Sequence, residues 1–245
     1  MLRRAFTISS PRRLHLIAMR SLAFVMGFFA LLPLAAPQPV TSPNERANER
    51  VVLFLGDSLT EGYGVKKEEA YPELVRDLLE KSGTKIKVVN GSISGSVSAD
   101  ADRRLRWFLK TKPEIMVLAL GSNDALKGTS PKVIKENLAK VIDLAQTNGI
   151  TVLLCGVRVF TNFGADYTRS LEQVYKDLAK EKKLEFMPFL LEGVALDREL
   201  NQSDGRHPNA KGHAIIAKNV AKELEPILKK TATKPAKNTE TKTQG

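Results

Sequence analysis

The apolar run from Val51 to Leu55 limits the fold of this chain more strongly than any other stretch. An uninterrupted run of this kind predicts a strand buried on both faces, as in a parallel sheet covered by helices. Gly56 follows at once and allows a sharp turn where the strand ends. Ser58 then lies just past the carboxyl end of the strand, where open α/β sheets hold their ligands. Ser58 is therefore a candidate nucleophile; the alternative is a serine that only caps the next segment.

Apolar strands and amphipathic helices alternate along the rest of the chain. Further strands are predicted at residues 86–89, 115–120, 150–155 and 184–187, and helices at residues 71–81, 99–109, 131–148, 167–182 and 209–228. This alternation implies right-handed crossovers and a parallel sheet between two helical layers. We predict a single three-layer α/β/α domain over residues 51–228, in which the lone Cys155 is a small core residue.

The net charge of +11 comes mostly from the two ends of the chain. Residues 1–36 contain five arginines and no acid, and residues 229–245 contain five lysines and one glutamate. Without these contributions of +5 and +4, residues 37–228 carry only +2 of the +11. A nearly neutral central domain removes the main argument for a nucleic-acid partner.

The first 36 residues are typical of an export signal. A basic leader precedes a 16-residue apolar stretch, residues 21–36, which is short for a membrane span and suits a signal-peptide core. An uncleaved N-terminal membrane anchor is the alternative. Residues 37–50 are predicted to be a polar linker and residues 229–245 a disordered basic tail. We expect an exported protein, either periplasmic or secreted.

Three later stretches carry candidate catalytic residues, each after a predicted strand or before the last helix; they are Asn90-Gly91-Ser92-Ile93-Ser94-Gly95-Ser96, Gly121-Ser122-Asn123-Asp124 and Asp204-Gly205-Arg206-His207-Pro208-Asn209. Asp204 can turn back to accept the Nδ1 proton of His207, which leaves Nε2 free to take the proton of Ser58. The alternative is a helix cap beside a surface histidine.

A serine nucleophile also needs donors for the negative oxygen that develops on the attacked carbonyl. Gly95 can bring its backbone N–H close because it has no side chain, and Asn123 offers a side-chain amide. The backbone N–H of Ser58 is the third candidate. The alternatives are a plain turn glycine and a turn-forming Asn–Asp pair.

These stretches, together with Gly56-Asp57-Ser58-Leu59, resemble in order the four signatures of the SGNH (GDSL) hydrolases. The resemblance covers about residues 50–228 and is nearest to the bacterial thioesterase I, lysophospholipase and arylesterase branch. It implies a flavodoxin-like sheet of five parallel strands. It also implies that Ser58 is the nucleophile, that His207 and Asp204 are the base and its orienting partner, and that Ser58, Gly95 and Asn123 form the oxyanion hole.

The resemblance implies hydrolysis of small acyl esters, thioesters or lysophospholipids through an acyl-enzyme, without a cofactor or metal. Val159 and Phe160 follow the fourth strand and are predicted to wall an acyl groove; ordinary loop packing is the alternative. Two other functions stay open, a carbohydrate O-acetyl esterase and a catalytically silent exported binding domain. We expect a monomer.

Overall fold

The protein is described by a computed structural model over residues 49–159 and 163–232. Five strands form one parallel sheet in the order β2-β1-β3-β4-β5, which confirms the expected α/β architecture. They are β1 (Arg50–Gly56), β2 (Ile86–Asn90), β3 (Ile115–Ala119), β4 (Thr151–Cys155) and β5 (Glu185–Met187). The predicted leader, the linker up to residue 48 and the tail beyond residue 232 lie outside the described residues, as does Phe160.

Seven helices accompany the sheet over the described ranges. They are α1 (Ser58–Glu61), α2 (Tyr71–Lys81), α3 (Ala101–Phe108), α4 (Ser122–Leu126), α5 (Pro131–Thr147), α6 (Ala165–Glu181) and α7 (Ala210–Ala232). Helices α2 and α7 cover one face of the sheet, and α3, α5 and α6 cover the other. Within the described ranges, no helix is both long and apolar enough to cross a membrane.

The central strand β1 contributes side chains to the hydrophobic layers on both faces of the sheet. Val52 and Phe54 pack toward α2 and α7, whereas Leu53 and Leu55 pack toward α3, α5 and α6, and all four are fully buried. Each such side chain contributes about 1.5–3 kcal/mol through burial. The continuous apolar run is therefore the consequence of helices on both faces.

Several element boundaries differ from those predicted. Helix α7 continues to Ala232, so the first four residues of the predicted tail, residues 229–232, are helical. Arg50 at the start of β1 supports this extension, because its guanidinium donates to the carbonyl of Leu228 and to the hydroxyl of Thr231. Helix α3 is shorter than predicted and lies between two 3₁₀ turns.

Two apolar residues in the predicted helices, Trp107 and Val133, are exposed. Trp107 is 65% exposed, since it lies about 200° around the helix from the fully buried Leu105. Val133 is 42% exposed because it is one residue, about 100°, from the buried stripe that begins at Ile134.

The sheet order places the site. The chain leaves β1 for β2 on one side and later returns to β3 on the other, so the strand order reverses between β1 and β3. Parallel sheets open a crevice at such a switch point, beyond the carboxyl ends of the strands. Helix α1 begins there after β1, and helix α4 begins there after β3. Neither short helix was predicted.

Candidate active site

Ser58 is the first residue of α1, directly after a tight strand-to-helix turn. The Asp57 side chain caps this helix by accepting the Leu59 N–H at 3.0 Å. A Cβ on Gly56 would lie 2.2 Å from Oγ1 of Thr60, so only glycine fits at this position. The turn therefore holds the Ser58 side chain at the crevice, as the sequence predicted.

His207 connects Ser58 to Asp204. Its Nε2 lies 2.9 Å from Oγ of Ser58, and its Nδ1 lies 2.5 Å from Oδ2 of Asp204. The pKa of Asp204 lies well below its ordinary value, chiefly because His207 Nδ1 donates to the carboxylate and further because the backbone N–H groups of His207 and Arg206 do so. An ionised Asp204 accepts only, so Nδ1 carries the proton and Nε2 is free to accept one from Ser58.

The loop that carries His207 is held by backbone and side-chain contacts. Asn201 and Pro208 form an isolated antiparallel bridge, and the Gln202 N–H donates to the His207 carbonyl at 2.8 Å. The Gln202 side chain donates to the carbonyl of Tyr63 at 2.7 Å and to that of Pro208 at 2.9 Å. These contacts fix the imidazole relative to α1, which lies more than 140 residues away in the chain.

The candidate oxyanion donors meet beside Ser58. The Asn123 amide donates one hydrogen to the Ser96 carbonyl at 3.0 Å, which leaves its second hydrogen for a substrate. As the first residue of α1, Ser58 has no intrahelical acceptor for its backbone N–H. Both residues and Gly95 line the same cavity.

The structure adds a conformational reason for glycine at position 95. A Cβ there would meet no protein atom within 4 Å. Gly95 has φ +78°, a conformation that side-chain-bearing residues rarely adopt. The turn therefore requires glycine, because this backbone conformation sets the direction of the N–H group at residue 95.

Two interactions fasten the loop of Gly95 to neighbouring strands. Oγ of Ser92 accepts the N–H of Gly56 at 3.0 Å, at the end of β1. The buried carboxylate of Asp124, in α4 after β3, accepts the Ser98 N–H at 2.8 Å and the Ser98 hydroxyl at 2.5 Å. The loop therefore cannot shift without disturbing both strand ends.

Asp57 and Arg104 are two buried charged residues next to the Ser58 turn, and the sequence interpretation missed their burial. Asp57 is 1% exposed and Oδ2 has no hydrogen-bond partner, so desolvation raises the pKa of this carboxyl to about 6. Arg104 donates to the carbonyls of Gly56 and Gly91, and burial lowers its pKa. Asp57 was part of a recognised motif, whereas an arginine in the middle of a helix carries no signal that it will be buried.

A cavity of about 560 Å³ opens beside the hydrogen-bonded residues Ser58, His207 and Asp204. Val159 lies in its wall, and Phe160 lies outside the described residues. The wall also includes apolar residues that were not predicted, namely Tyr63, Leu126, Phe163, Leu191 and Leu196. They are in loops or short helices without periodicity, so only the fold brings them together.

Two of these residues stand out in their local geometry. The Tyr63 ring lies 4.7 Å from the His207 ring, centroid to centroid. Leu196 has φ +68°, an unfavourable backbone conformation for leucine, and is 70% exposed. Both therefore present apolar surface at the cavity, where a substrate would cover it.

A serine, a histidine and an aspartate in hydrogen-bonded sequence, placed at the switch point of a three-layer α/β fold, define the class of α/β serine hydrolases. Within that class, this chain belongs to the GDSL-like lipase/acylhydrolase family, whose model matches residues 54–215, and it is an ester-bond hydrolase. The family resemblance noted in the sequence is thereby confirmed.

Named relatives agree with this assignment. An arylesterase from Vibrio mimicus is 38% identical over 75% of this chain and 92% of its own length. Thioesterase 1/protease 1/lysophospholipase L1 from Escherichia coli K12 is 35% identical over 72% of this chain and 84% of its own. The crystal structure of TesA superposes with a TM-score of 0.70 at 34% identity, covering 73% of this chain and 99% of that one.

Proposed function

We propose that the protein hydrolyses acyl esters and thioesters through an acyl-enzyme formed on Ser58. The observation that carries this proposal is the 2.9 Å contact between Ser58 and His207, with Asp204 holding the other ring nitrogen. His207 takes the Ser58 proton as the oxygen attacks the substrate carbonyl, then protonates the leaving group. Water then attacks the acyl-enzyme while His207 takes its proton, and His207 gives a proton to Oγ of Ser58 as the acid is released.

The negative oxygen of the tetrahedral intermediate is stabilised by three donors. They are the backbone N–H groups of Ser58 and Gly95 and the free amide hydrogen of Asn123, all of which line the cavity. Donors fixed before reaction need no reorganisation when the charge develops. The anchored loop that carries Gly95 supplies this rigidity.

The walls of the cavity support an acyl chain as the recognised part of the substrate. Tyr63, Leu126, Leu191 and Leu196 present apolar surface, which favours lipid-derived or small acyl esters, thioesters and lysophospholipids over acetylated carbohydrate. Val159 belongs to this wall. The names of the relatives, which include an arylesterase and a thioesterase/lysophospholipase, point the same way.

We infer the cellular location from the amino-terminal sequence. The basic, then apolar, residues 1–36 support export to the periplasm or the medium, with a retained membrane anchor as the alternative. In either place the substrate is an extracytoplasmic ester rather than acyl-CoA. Mass spectrometry of the mature chain isolated from its host distinguishes a cleaved leader from an anchor.

Replacing the nucleophile tests the mechanism. Ser58→Ala should abolish hydrolysis of p-nitrophenyl butyrate and labelling by a fluorophosphonate, with the melting temperature unchanged because Ser58 lies at a turn and contributes little packing. The matched control is Ser130→Ala, the N-cap of α5 outside the cavity. Equal labelling of the wild type and Ser58→Ala would remove Ser58 from its role.

A series of p-nitrophenyl esters from acetyl to dodecanoyl tests the substrate class. Each added methylene that enters the cavity should raise kcat/KM by roughly fourfold, from about 0.8 kcal/mol, until the cavity is full. A steep fall beyond acetyl would favour the carbohydrate O-acetyl esterase. No turnover of any member would favour the silent binding domain.

A further inference from the structure

Exposed apolar side chains are concentrated around the catalytic crevice. Six large apolar side chains of the described ranges are exposed. Tyr63, Leu126 and Leu196 line the catalytic cavity, and Ile93 and Trp107 line a second cavity of about 670 Å³. Only Val133 lines neither of these cavities. Isolated exposed apolar residues are ordinary, but contiguous ones mark interaction sites.

The second cavity lies directly behind the loop that bears Gly95. Ser94 and Gly95 line both cavities, so this loop is the wall between them. On the far side are Ile93, 54% exposed, and Trp107, 65% exposed. A surface that covers Ile93 and Trp107 therefore lies beside the position of a bound ester carbonyl.

The same surface carries a local excess of positive charge. Residues 98–112 contain five cations and two carboxylates, a net +3, whereas all of residues 37–228 carry +2. Four of these cations are exposed, and only Arg104 is buried. Asp100 and Asp102 pair with Arg103 and Arg106, so the four exposed cations of this surface exceed its two carboxylates by two.

Helix geometry puts charge and aromatic surface together. Arg103, Trp107 and Lys110 follow one another at spacings of four and three residues and share one face. The Lys110 ammonium lies 3.4 Å from the centroid of the Trp107 ring. We define Ile93, Arg103, Arg106, Trp107 and Lys110 as the α3 patch. Tryptophan flanked by lysine and arginine is the combination that suits the headgroup level of a lipid surface.

We propose that the α3 patch docks the enzyme onto an anionic phospholipid surface, so that the crevice opens at the bilayer from which a lipid ester is drawn. Trp107 and Ile93 enter the headgroup region, while Arg103, Arg106 and Lys110 contact lipid phosphates. This inference rests on the proposed lipid-ester substrate. It adds a recognition surface outside the catalytic cavity, and its experiment separates the two proposals.

Trp107 is the only tryptophan of the chain, so its fluorescence reports on the patch directly. The full chain is mixed with vesicles of phosphatidylcholine, with or without phosphatidylglycerol. Docking should shift the emission of Trp107 to the blue and allow quenching by brominated lipid, more strongly with phosphatidylglycerol and less strongly at high salt. Binding through residues 21–36 alone would leave the emission unchanged and overturn the proposal.

Variants separate charge from apolar contact. Arg103→Gln with Arg106→Gln should weaken the emission titration by about fivefold for each cation removed. Ile93→Ser should reduce the quenching by brominated lipid, whereas the matched control Val133→Ser should match wild type in both readouts. If the control fell as far as the patch variants, the patch would not be the docking surface.

Kinetics distinguish docking from catalysis. The three patch substitutions should lower turnover of lysophospholipid presented in anionic vesicles and leave hydrolysis of soluble p-nitrophenyl butyrate within about twofold of wild type. If the wild-type protein itself did not hydrolyse soluble p-nitrophenyl butyrate, that result would contradict the proposed function rather than the docking proposal. A blue shift that grows with protein concentration in the absence of lipid, together with a dimer mass, would assign the patch to a second copy and overturn lipid docking.

Discussion

Individual residues around Ser58 have separable roles because each makes one or two identifiable interactions. Asn123 donates one amide hydrogen to the Ser96 carbonyl, and the proposed mechanism uses the other for the substrate. Asp57 caps α1 through one oxygen while the other is buried without a partner. Replacing Asn123 is therefore expected to change the rate of the reaction, and replacing Asp57 to change the stability of the fold.

Asn123→Ala should lower kcat by roughly 10²–10³, the usual effect of removing one oxyanion donor, and should change KM less. Steady-state kinetics with p-nitrophenyl butyrate measure this difference. Asn137→Ala is the matched control, because Asn137 also donates an amide hydrogen nearby, to Oγ of Ser98, but does not line the cavity. A kcat for Asn123→Ala within about twofold of the control would make Asn123 a turn residue only.

Asp57→Asn should stabilise the fold in a pH-dependent way. Burial raises the pKa of Asp57 from 3.8 to about 6, so the ionised carboxylate destabilises the native state once the pH exceeds that range. The protonated form is favoured in the folded protein, and this stability is present below 3.8 and lost as the pH rises through about 6.

The neutral amide of Asn should therefore raise the unfolding free energy by up to about 3 kcal/mol above that range, at 1.36 kcal/mol per pKa unit. Below pH 3.8 the two proteins should unfold alike. Urea titrations at both ends of the range provide the measurement. An equal difference at the two ends would show that the charge of Asp57 is not the cause.

At the scale of elements, the site depends on loops that are held by contacts distant in sequence. The loop from Asn201 to Pro208 is bridged internally and tied to the segment after α1 through Gln202. Gly64 leaves room for this tie, since a Cβ there would lie 2.1 Å from Oε1 of Gln202. Removing the side-chain hydrogen bonds of Gln202 should make the position of His207 less fixed and leave its hydrogen bonds to Ser58 and Asp204 chemically possible.

Gln202→Ala should lower kcat by about tenfold to a hundredfold, because small displacements of a reacting group are costly. Fluorophosphonate labelling of Ser58 should slow in parallel. Gln146→Ala is the control, since the Gln146 amide also donates to a backbone carbonyl, that of Lys182, away from the cavity. Unchanged kinetics for Gln202→Ala would mean that the backbone bridge alone fixes His207.

For the whole molecule, two apolar layers hold the sheet that carries all four catalytic stretches. Strand β3 contributes to both layers, and its residues Ile115, Met116, Val117 and Leu118 are fully buried. Ser58 and Asn123 follow the adjacent strands β1 and β3, so the packing of these strands sets the distance between the proposed nucleophile and the proposed oxyanion donor. The stability of the core and the geometry of the site are thereby linked.

Leu118→Ala should destabilise the protein by about 2–5 kcal/mol, because the deleted methyl groups leave a cavity in a fully packed layer. Val133→Ala, on an exposed position of α5, should stay within about 0.5 kcal/mol of wild type. Urea unfolding measures both differences. If Leu118→Ala lost no more stability than Val133→Ala, the layer would be less tightly packed than described.

Local patterns in the sequence were sufficient for the alternation of elements and for the candidate catalytic residues. The run from Val51 to Leu55, the glycine turn before Ser58 and the three-residue spacing of Asp204 and His207 are short-range signals, and each reflects backbone conformation or hydrogen bonding within a few residues. Helix α2 was predicted with both of its observed ends, since its apolar spacing is regular from Tyr71 to Lys81.

The remaining features arose only from tertiary packing. Burial of Asp57 and Arg104, the apolar cavity wall with Tyr63 and Leu196, and the exposure of Trp107 all depend on which elements lie against one another. His213 is another example: it is buried inside α7, its Nδ1 accepts the Tyr71 N–H at 3.2 Å, and burial lowers its pKa to about 4. Burial and side-chain proximity depend on how the sheet and the two helical layers pack against one another. Residues far apart in the chain therefore come together only in the folded domain.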